Sequence, residues 1–237
     1  MAQVLFSLII PTYNEKENIL RLIKELQKNL NSVKELYEII AVDDNSPDGT
    51  GAAAEKAFRK NKNIRIFVRK KDRGLATAIF FGINKSKGDV VVGMDADFNH
   101  PPELIPQLSG KLIDADMVVA SRFINGGGME EKGRYFFTYF FNLFLKYLLG
   151  FPTMDNMSGY YAIKKPALLK LPLGKIYRGY GEYHLRLVYL AQKIGLKIKE
   201  IPVFYSKRNY GQSKSNLIKL FFSYLWTALN LKTGKNF

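Results

Sequence analysis

The chain has 237 residues, 47% of them apolar, no cysteine, and a formal net charge of +15. That apolar content excludes a disordered chain, and the lack of cysteine excludes disulfide frameworks, thiolate zinc sites and cysteine nucleophiles. Residues 1–119 carry 17 Lys and Arg against 16 Asp and Glu, whereas residues 120–237 carry 19 against 5, which points to an anionic partner for the second half.

The first half alternates strands and helices. Residues 4–10 form an apolar run too short for a secretory leader and broken by Pro11, so residues 7–10 read as a buried strand. Ile19, Leu22, Ile23, Leu26 and Leu30 then recur at helical spacing. Strands follow at 37–42, 64–68, 90–94 and 117–120, and helices at 52–60, 75–83 and 101–112, the last opened by two prolines. Such alternation predicts an α/β fold, a mostly parallel twisted sheet flanked by helices. Ligands in such sheets bind at the carboxyl ends of the strands.

Gly126, Gly127 and Gly128 interrupt this pattern. Two unusually apolar helical stretches come later. In residues 134–149 the polar residues Arg134, Thr138, Asn142 and Lys146 fall four apart, a narrow stripe on an otherwise apolar cylinder. In residues 217–231, Lys219, Ser223, Thr227 and Asn230 form a similar stripe at spacings of four, four and three. Neither reaches the run of about 20 apolar residues that spans a bilayer. The first stretch is assigned equally to core or membrane interface; the terminal one, with Tyr224, Trp226 and a basic approach, is assigned to the interface.

Three strand ends carry the chemistry. Asp95 and Asp97 follow the strand at 90–94, and on an extended segment two carboxylates one residue apart point the same way. They repel unless a cation lies between them, and hard oxygen ligands suit Mg²⁺ or Mn²⁺ shared with substrate phosphates. The competing reading is a polar loop with an aspartate helix cap before Pro101 and Pro102, and His100 a surface or hydrogen-bonding residue. Asp43, Asp44 and Asp48 follow the second strand and offer acceptors for ribose and base groups. Gly49, Gly51 and Ala54 match the dinucleotide fingerprint, but six mostly polar residues separate them from the strand, where that fingerprint needs an immediate glycine turn. Pro11, Thr12, Tyr13, Asn14 and Glu15 leave the first strand.

In order along the chain, Pro-Thr-Tyr-Asn-Glu at 11–15, Val-Asp-Asp-Asn-Ser-Pro-Asp-Gly-Thr at 42–50, Asp-Ala-Asp at 95–97 with His-Pro-Pro-Glu at 100–103, Ser-Arg-Phe at 121–123, Ser-Gly-Tyr-Tyr at 158–161 and Gly-Gln-Ser-Lys at 211–214 are present. This set resembles the family-two inverting glycosyltransferases, most of all their dolichyl-phosphate mannose synthase branch. The resemblance implies a Rossmann-like GT-A fold, with a catalytic domain at 1–212 divided into a nucleotide-sugar half (1–121) and an acceptor half (122–212). Residues 213–237 would form an amphipathic membrane-interface helix. It places Pro11, Tyr13, Glu15, Val42, Asp44 and Ala96 at the donor nucleotide. Asp95 and Asp97 would bind a Mg²⁺ or Mn²⁺ ion, with Asn99 standing where the synthases usually have a glutamine near the metal. Arg122 and Arg134 join the aspartates as catalytic residues, and Arg208, Lys214 and Ser158 would bind donor and acceptor phosphates.

The implied activity is inverting transfer of a hexose, mannose from GDP-mannose, to a dolichyl or polyprenyl phosphate at the cytoplasmic face of a membrane, with the protein attached peripherally. The alternatives are UDP-glucose as donor, or a sugar-hydroxyl acceptor served by Glu182 or Asp155 as base. The expected partners are the nucleotide sugar, the lipid phosphate and the membrane surface, with a membrane subunit or further copies left open. No nucleic-acid-reading motif accompanies the basic charge, so nucleic acid is excluded. The chain departs from the synthases at Asn156, where they commonly have proline after the aspartate, and at Gly181-Glu182-Tyr183-His184.

Overall fold

The computed structural model describes residues 5–32, 36–206 and 217–234. Arg208 and Lys214 lie outside the described residues. β1 (Leu5–Thr12), β2 (Leu36–Asp43), β3 (Ile64–Val68) and β4 (Val90–Gly93) alternate with α1 (Lys16–Ser32), α2 (Thr50–Phe58) and α3 (Leu75–Lys85). After β4 the chain forms a 3₁₀ turn (Pro102–Leu104), α4 (Ile105–Lys111) and a second 3₁₀ turn (Leu112–Asp114) before β5 (Met117–Ser121). The second half adds β6 (Gly128–Met129), α5 (Lys132–Leu149), β7 (Tyr161–Lys164) and the short α6 (Lys165–Leu168) and α7 (Leu173–Ile176). It closes with α8 (Glu182–Lys193), β8 (Ile198–Pro202), β9 (Phe204–Tyr205) and α9 (Leu217–Thr233).

The strands form a seven-stranded sheet in the order β3-β2-β1-β4-β7-β5-β8, beside a β6-β9 pair. Only β7 runs antiparallel to its neighbours in the large sheet. Alternating residues feed two core layers: Leu8 and Ile10 pack with α1 through Leu22, Ile23 and Leu26, while Ile9 and Val91 pack with Ala76 and Ile79 of α3. Both faces of β1 are therefore apolar, as a strand covered by helices on each side requires.

The observed bounds differ from the sequence expectation for identifiable reasons. β1 continues through Pro11 to Thr12. The Ile9 carbonyl faces β4 and the Thr12 carbonyl faces β2, so alternation turns Pro11 towards β4, which has already ended at Gly93. Its missing N–H costs no ladder bond. The expected single helix at 101–112 is broken, because Pro106 in the first turn of α4 cannot donate backwards and the helix restarts there. β7, α8, β8 and β9 are additions to what periodicity predicts.

Helix α5 turns its stripe inward. Thr138 and Asn142 are buried, while Phe136, Phe137, Phe140, Phe144 and Tyr147 are exposed. Asn142 accepts the Asn156 N–H at 2.8 Å and donates to the Thr138 carbonyl. Beside α5 lies α9, joined to it by Phe221 against Phe137 and Phe141. Tyr224, Ala228 and Leu231 of α9 are buried, and Ile218, Phe222, Trp226 and Leu229 are exposed. Among the described residues no helix is long and apolar enough to cross a membrane.

Candidate active site

The carboxyl ends of β1, β2 and β4 lie side by side in the sheet, so the loops that follow them meet at one edge. They enclose a cavity of about 590 Å³ lined by Pro11, Tyr13, Glu15, Asp44, Arg73, Asp95, Ala96 and Asp97, among others. Arg73 lies over the Tyr13 ring at 5.1 Å, a flat cationic and aromatic pair suited to holding a planar base. Val42 is fully buried in the core and does not line this cavity.

Most aspartates of the second loop shape it. Asp43 accepts from the Ser46 N–H and the Thr12 hydroxyl, and Asp48 accepts from the Thr50 N–H and hydroxyl at the start of α2. Asp44 is buried and accepts both Nε and Nη2 of Arg69, and the Gly74 N–H at 2.6 Å. Gly74 has φ 141°, a conformation that side chains rarely adopt. Asp44 thus ties the loops after β2 and β3 together beneath the cavity. Asp43 and Asp48 are not the open acceptors that the sequence predicts.

The Asp95–Asp97 segment is not extended. β4 stops at Gly93, and Phe98 takes a left-handed φ of 63°. Both aspartates still line the same cavity. Asp97 accepts the Asn99 N–H and its side-chain amide at 3.1 and 3.0 Å. Asn99 therefore supports Asp97, and its side chain belongs to the neighbouring cavity. His100, expected at the surface or in a hydrogen bond, is buried to 1% exposure and accepts the Asp95 N–H.

A second cavity, of about 360 Å³, adjoins the first. Asp95, Leu75 and Tyr180 line both. Its wall contains Arg122, Arg134 and Ser158, and it extends between α5 and α9 past Phe137, Phe141, Leu220 and Phe221. Arg122 lies between the rings of Phe123 and Tyr205, each at 4.9 Å. Burial disfavours its charge, but the Asp155 carboxylate outweighs that and holds the guanidinium above its ordinary value. Arg134 pairs loosely with Glu131 at 4.0 Å. The Ser158 hydroxyl contacts the Tyr205 hydroxyl at 3.1 Å.

Neither carboxylate expected as a base faces this cavity. Asp155 is fully buried against Arg122. Glu182 is buried, accepts the Tyr180 N–H at 2.8 Å and is hydrogen-bonded by the Ser223 hydroxyl. Asp95 and Glu131 are the carboxylates that line it. Arg73, Tyr180 and Glu131 were missed from sequence because single residues in irregular segments carry no periodic signal.

The donor set fits a divalent cation. Asp95 and Asp97 supply hard oxygens, and Asp95 is partly exposed, with 42% of its side chain accessible. Among the described residues no group of three or more acidic or histidine side chains forms a closed metal cage. An ion would take its remaining ligands from a diphosphate and water, as Mg²⁺ and Mn²⁺ commonly do.

A mostly parallel α/β sheet with acidic strand-end loops around one cavity, opening onto a second walled by Arg122 and Arg134, is an architecture that binds ligands at the carboxyl ends of its strands. The chain belongs to glycosyl transferase family 2, whose family model matches residues 7–171. It is 33% identical over 213 residues to a dolichol-phosphate mannosyltransferase of Pyrococcus furiosus, covering 88% of this chain and 58% of that protein. It is 32% identical over 212 residues to an undecaprenyl-phosphate mannosyltransferase of Micrococcus luteus, covering 87% of this chain and 85% of the relative. Among solved structures, glucosyl-3-phosphoglycerate synthase of Mycobacterium tuberculosis, in complex with Mn²⁺, uridine diphosphate and phosphoglyceric acid, superposes with a TM-score of 0.71. That match is at 22% identity and covers 98% of this chain and 79% of that one. It establishes the shared GT-A fold.

Proposed function

We propose that this protein transfers a hexose, mannose from GDP-mannose, with inversion to a polyprenyl phosphate at a membrane surface. The observation that carries the reading is the position of Asp95, which lines both the nucleotide-sized cavity and the cavity, walled by Arg122 and Arg134, that runs between α5 and α9. A sugar at that junction has its diphosphate on one side and its acceptor on the other. The names of the curated relatives support the lipid phosphate and the mannosyl group.

An acceptor phosphate oxygen attacks the anomeric carbon, the bond from that carbon to the diphosphate oxygen breaks, and the nucleoside diphosphate leaves with the electron pair. A phosphate monoester is largely ionised at neutral pH, so the attack needs no protein base. That accords with the burial of Asp155 and Glu182 away from the cavity. Arg122 and Arg134 hold the acceptor phosphate near Ser158 and oppose its repulsion from the donor. Tyr13 and Arg73 hold the base. A divalent ion on Asp95 and Asp97 would act as a Lewis acid towards the departing diphosphate.

The aromatic face of α5 and α9 supports peripheral attachment, with the polyprenyl tail entering between the two helices. Fixed to one plane, Phe140, Phe144, Phe222 and Trp226 would enter the headgroup boundary, each contributing roughly 1.5–3 kcal/mol of burial. Transfer of radiolabelled sugar from GDP-mannose, UDP-glucose and UDP-N-acetylglucosamine to polyprenyl phosphate in vesicles tests the proposal. Product from GDP-mannose is expected. Product only on an oligosaccharide acceptor would overturn it.

A further inference from the structure

The carboxylate shared by the two cavities stands on a segment without regular structure. β4 ends at Gly93, and the next helical turn begins at Pro102. Asp95 lies beyond the end of the strand, and a group at a reaction centre must be held within about half an ångström. His100 supplies a restraint on it. Its Nδ1 accepts the Asp95 N–H at 2.8 Å. A neutral imidazole that accepts at Nδ1 carries its proton on Nε2, and Nε2 lies 3.9 Å from the Asp95 carboxylate. The same ring therefore holds the backbone of Asp95 and presents an N–H on the side of its carboxylate.

The ring is itself locked. It stacks on Tyr160 at 4.8 Å and 10°, and Tyr160 donates to the Pro101 carbonyl at 2.8 Å. Tyr205 lies 5.4 Å from the His100 ring, tilted at 53°, and its hydroxyl contacts the Ser158 hydroxyl. Asp95 and Ser158, which both line the second cavity, are thus tied through one buried aromatic group. We propose that His100 is a positioning residue that fixes Asp95 at the junction of the two cavities. This rests on the reading of Asp95 as a donor-side ligand.

The test is calorimetric titration of Mn²⁺ into the full chain saturated with GDP, alongside thermal melting. His100→Phe keeps the ring and loses both nitrogens; His100→Asn restores an acceptor near the Nδ1 position; His100→Gln places its amide near Nε2. Loss of a supporting hydrogen bond of this kind weakens metal binding by about 10–100-fold. The expected result is at least about tenfold weaker Mn²⁺ binding in His100→Phe and His100→Gln, with His100→Asn within about threefold of the parent. Wild-type affinity in His100→Gln, or equal weakening in His100→Asn and His100→Gln at matched melting temperature, overturns the proposal even if His100→Phe fails to fold. Asp95→Asn separates the two readings. If it leaves Mn²⁺ binding intact, the donor-side reading of Asp95 fails first.

Discussion

Arg122 and Asp155 meet in a two-point pair, Nε to Oδ2 at 2.7 Å and Nη2 to Oδ1 at 2.8 Å, and the Arg122 N–H also donates to Oδ2. The aspartate is fully buried and the arginine is 5% exposed. The pair fixes the guanidinium in the wall of the second cavity and explains why Asp155 cannot serve as a base.

Removing one partner of a buried pair costs about 3–5 kcal/mol, because the other charge is left uncompensated. Asp155→Asn should therefore lower the melting temperature by roughly 10 °C. Burial alone would raise the Asp155 carboxyl, but Arg122 outweighs it and holds the group below its ordinary 3.8. The pair's contribution is thus complete at neutral pH and is lost as pH falls through the lowered value. The acid limb of the melting curve should be steeper in the wild type than in the variant. Unchanged melting at pH 7 would contradict the assignment.

His184 sets a second pH dependence. It is buried, and neither ring nitrogen has a hydrogen-bond partner among the described residues. Burial lowers its pKa from 6.5 to about 4. Between those values the unfolded chain takes up a proton that the folded chain refuses, so stability falls as pH drops through that window. The loss approaches about 3 kcal/mol at the lower end. His184→Leu should flatten the melting temperature between pH 6.5 and 4 relative to the wild type. Parallel curves would show that His184 does not titrate this way.

Phe140 and Trp226 are 63% and 65% exposed and line neither cavity. A double substitution to glutamate should leave the melting temperature within about 2 °C, since exposed positions seldom contribute more than half a kcal/mol. Cosedimentation with anionic vesicles should fall at least about tenfold, as the lost burial is roughly 1.5–3 kcal/mol for each residue. Turnover of a short, water-soluble polyprenyl phosphate should remain near the parent rate. Full vesicle binding by the double variant would remove this face as the attachment surface.

The first half was legible in sequence because each strand is an apolar run and each of its loops that lines the first cavity follows one. Ile9 and Leu8 announce β1, and Asp95 follows β4 after one intervening residue. The second half was less so. The four-residue spacing of Thr138 and Asn142 identified the helix but not its orientation. That depends on Asn156, fourteen residues on, whose N–H needs the Asn142 side chain. The burial of His100 was equally hidden, because the Tyr160 ring that covers it arrives from β7's approach sixty residues later. Asp43 and Asp48 looked like open ligands because composition does not reveal that neighbouring hydroxyls and N–H groups occupy them.

The most direct test of the account is anomalous diffraction from crystals soaked with Mn²⁺ and GDP. The account predicts one strong peak within coordination distance of Asp95 and Asp97, with the diphosphate beside it and the base against the Tyr13 and Arg73 pair. A nucleotide bound elsewhere, or those two carboxylates without a metal beside a bound diphosphate, would contradict it.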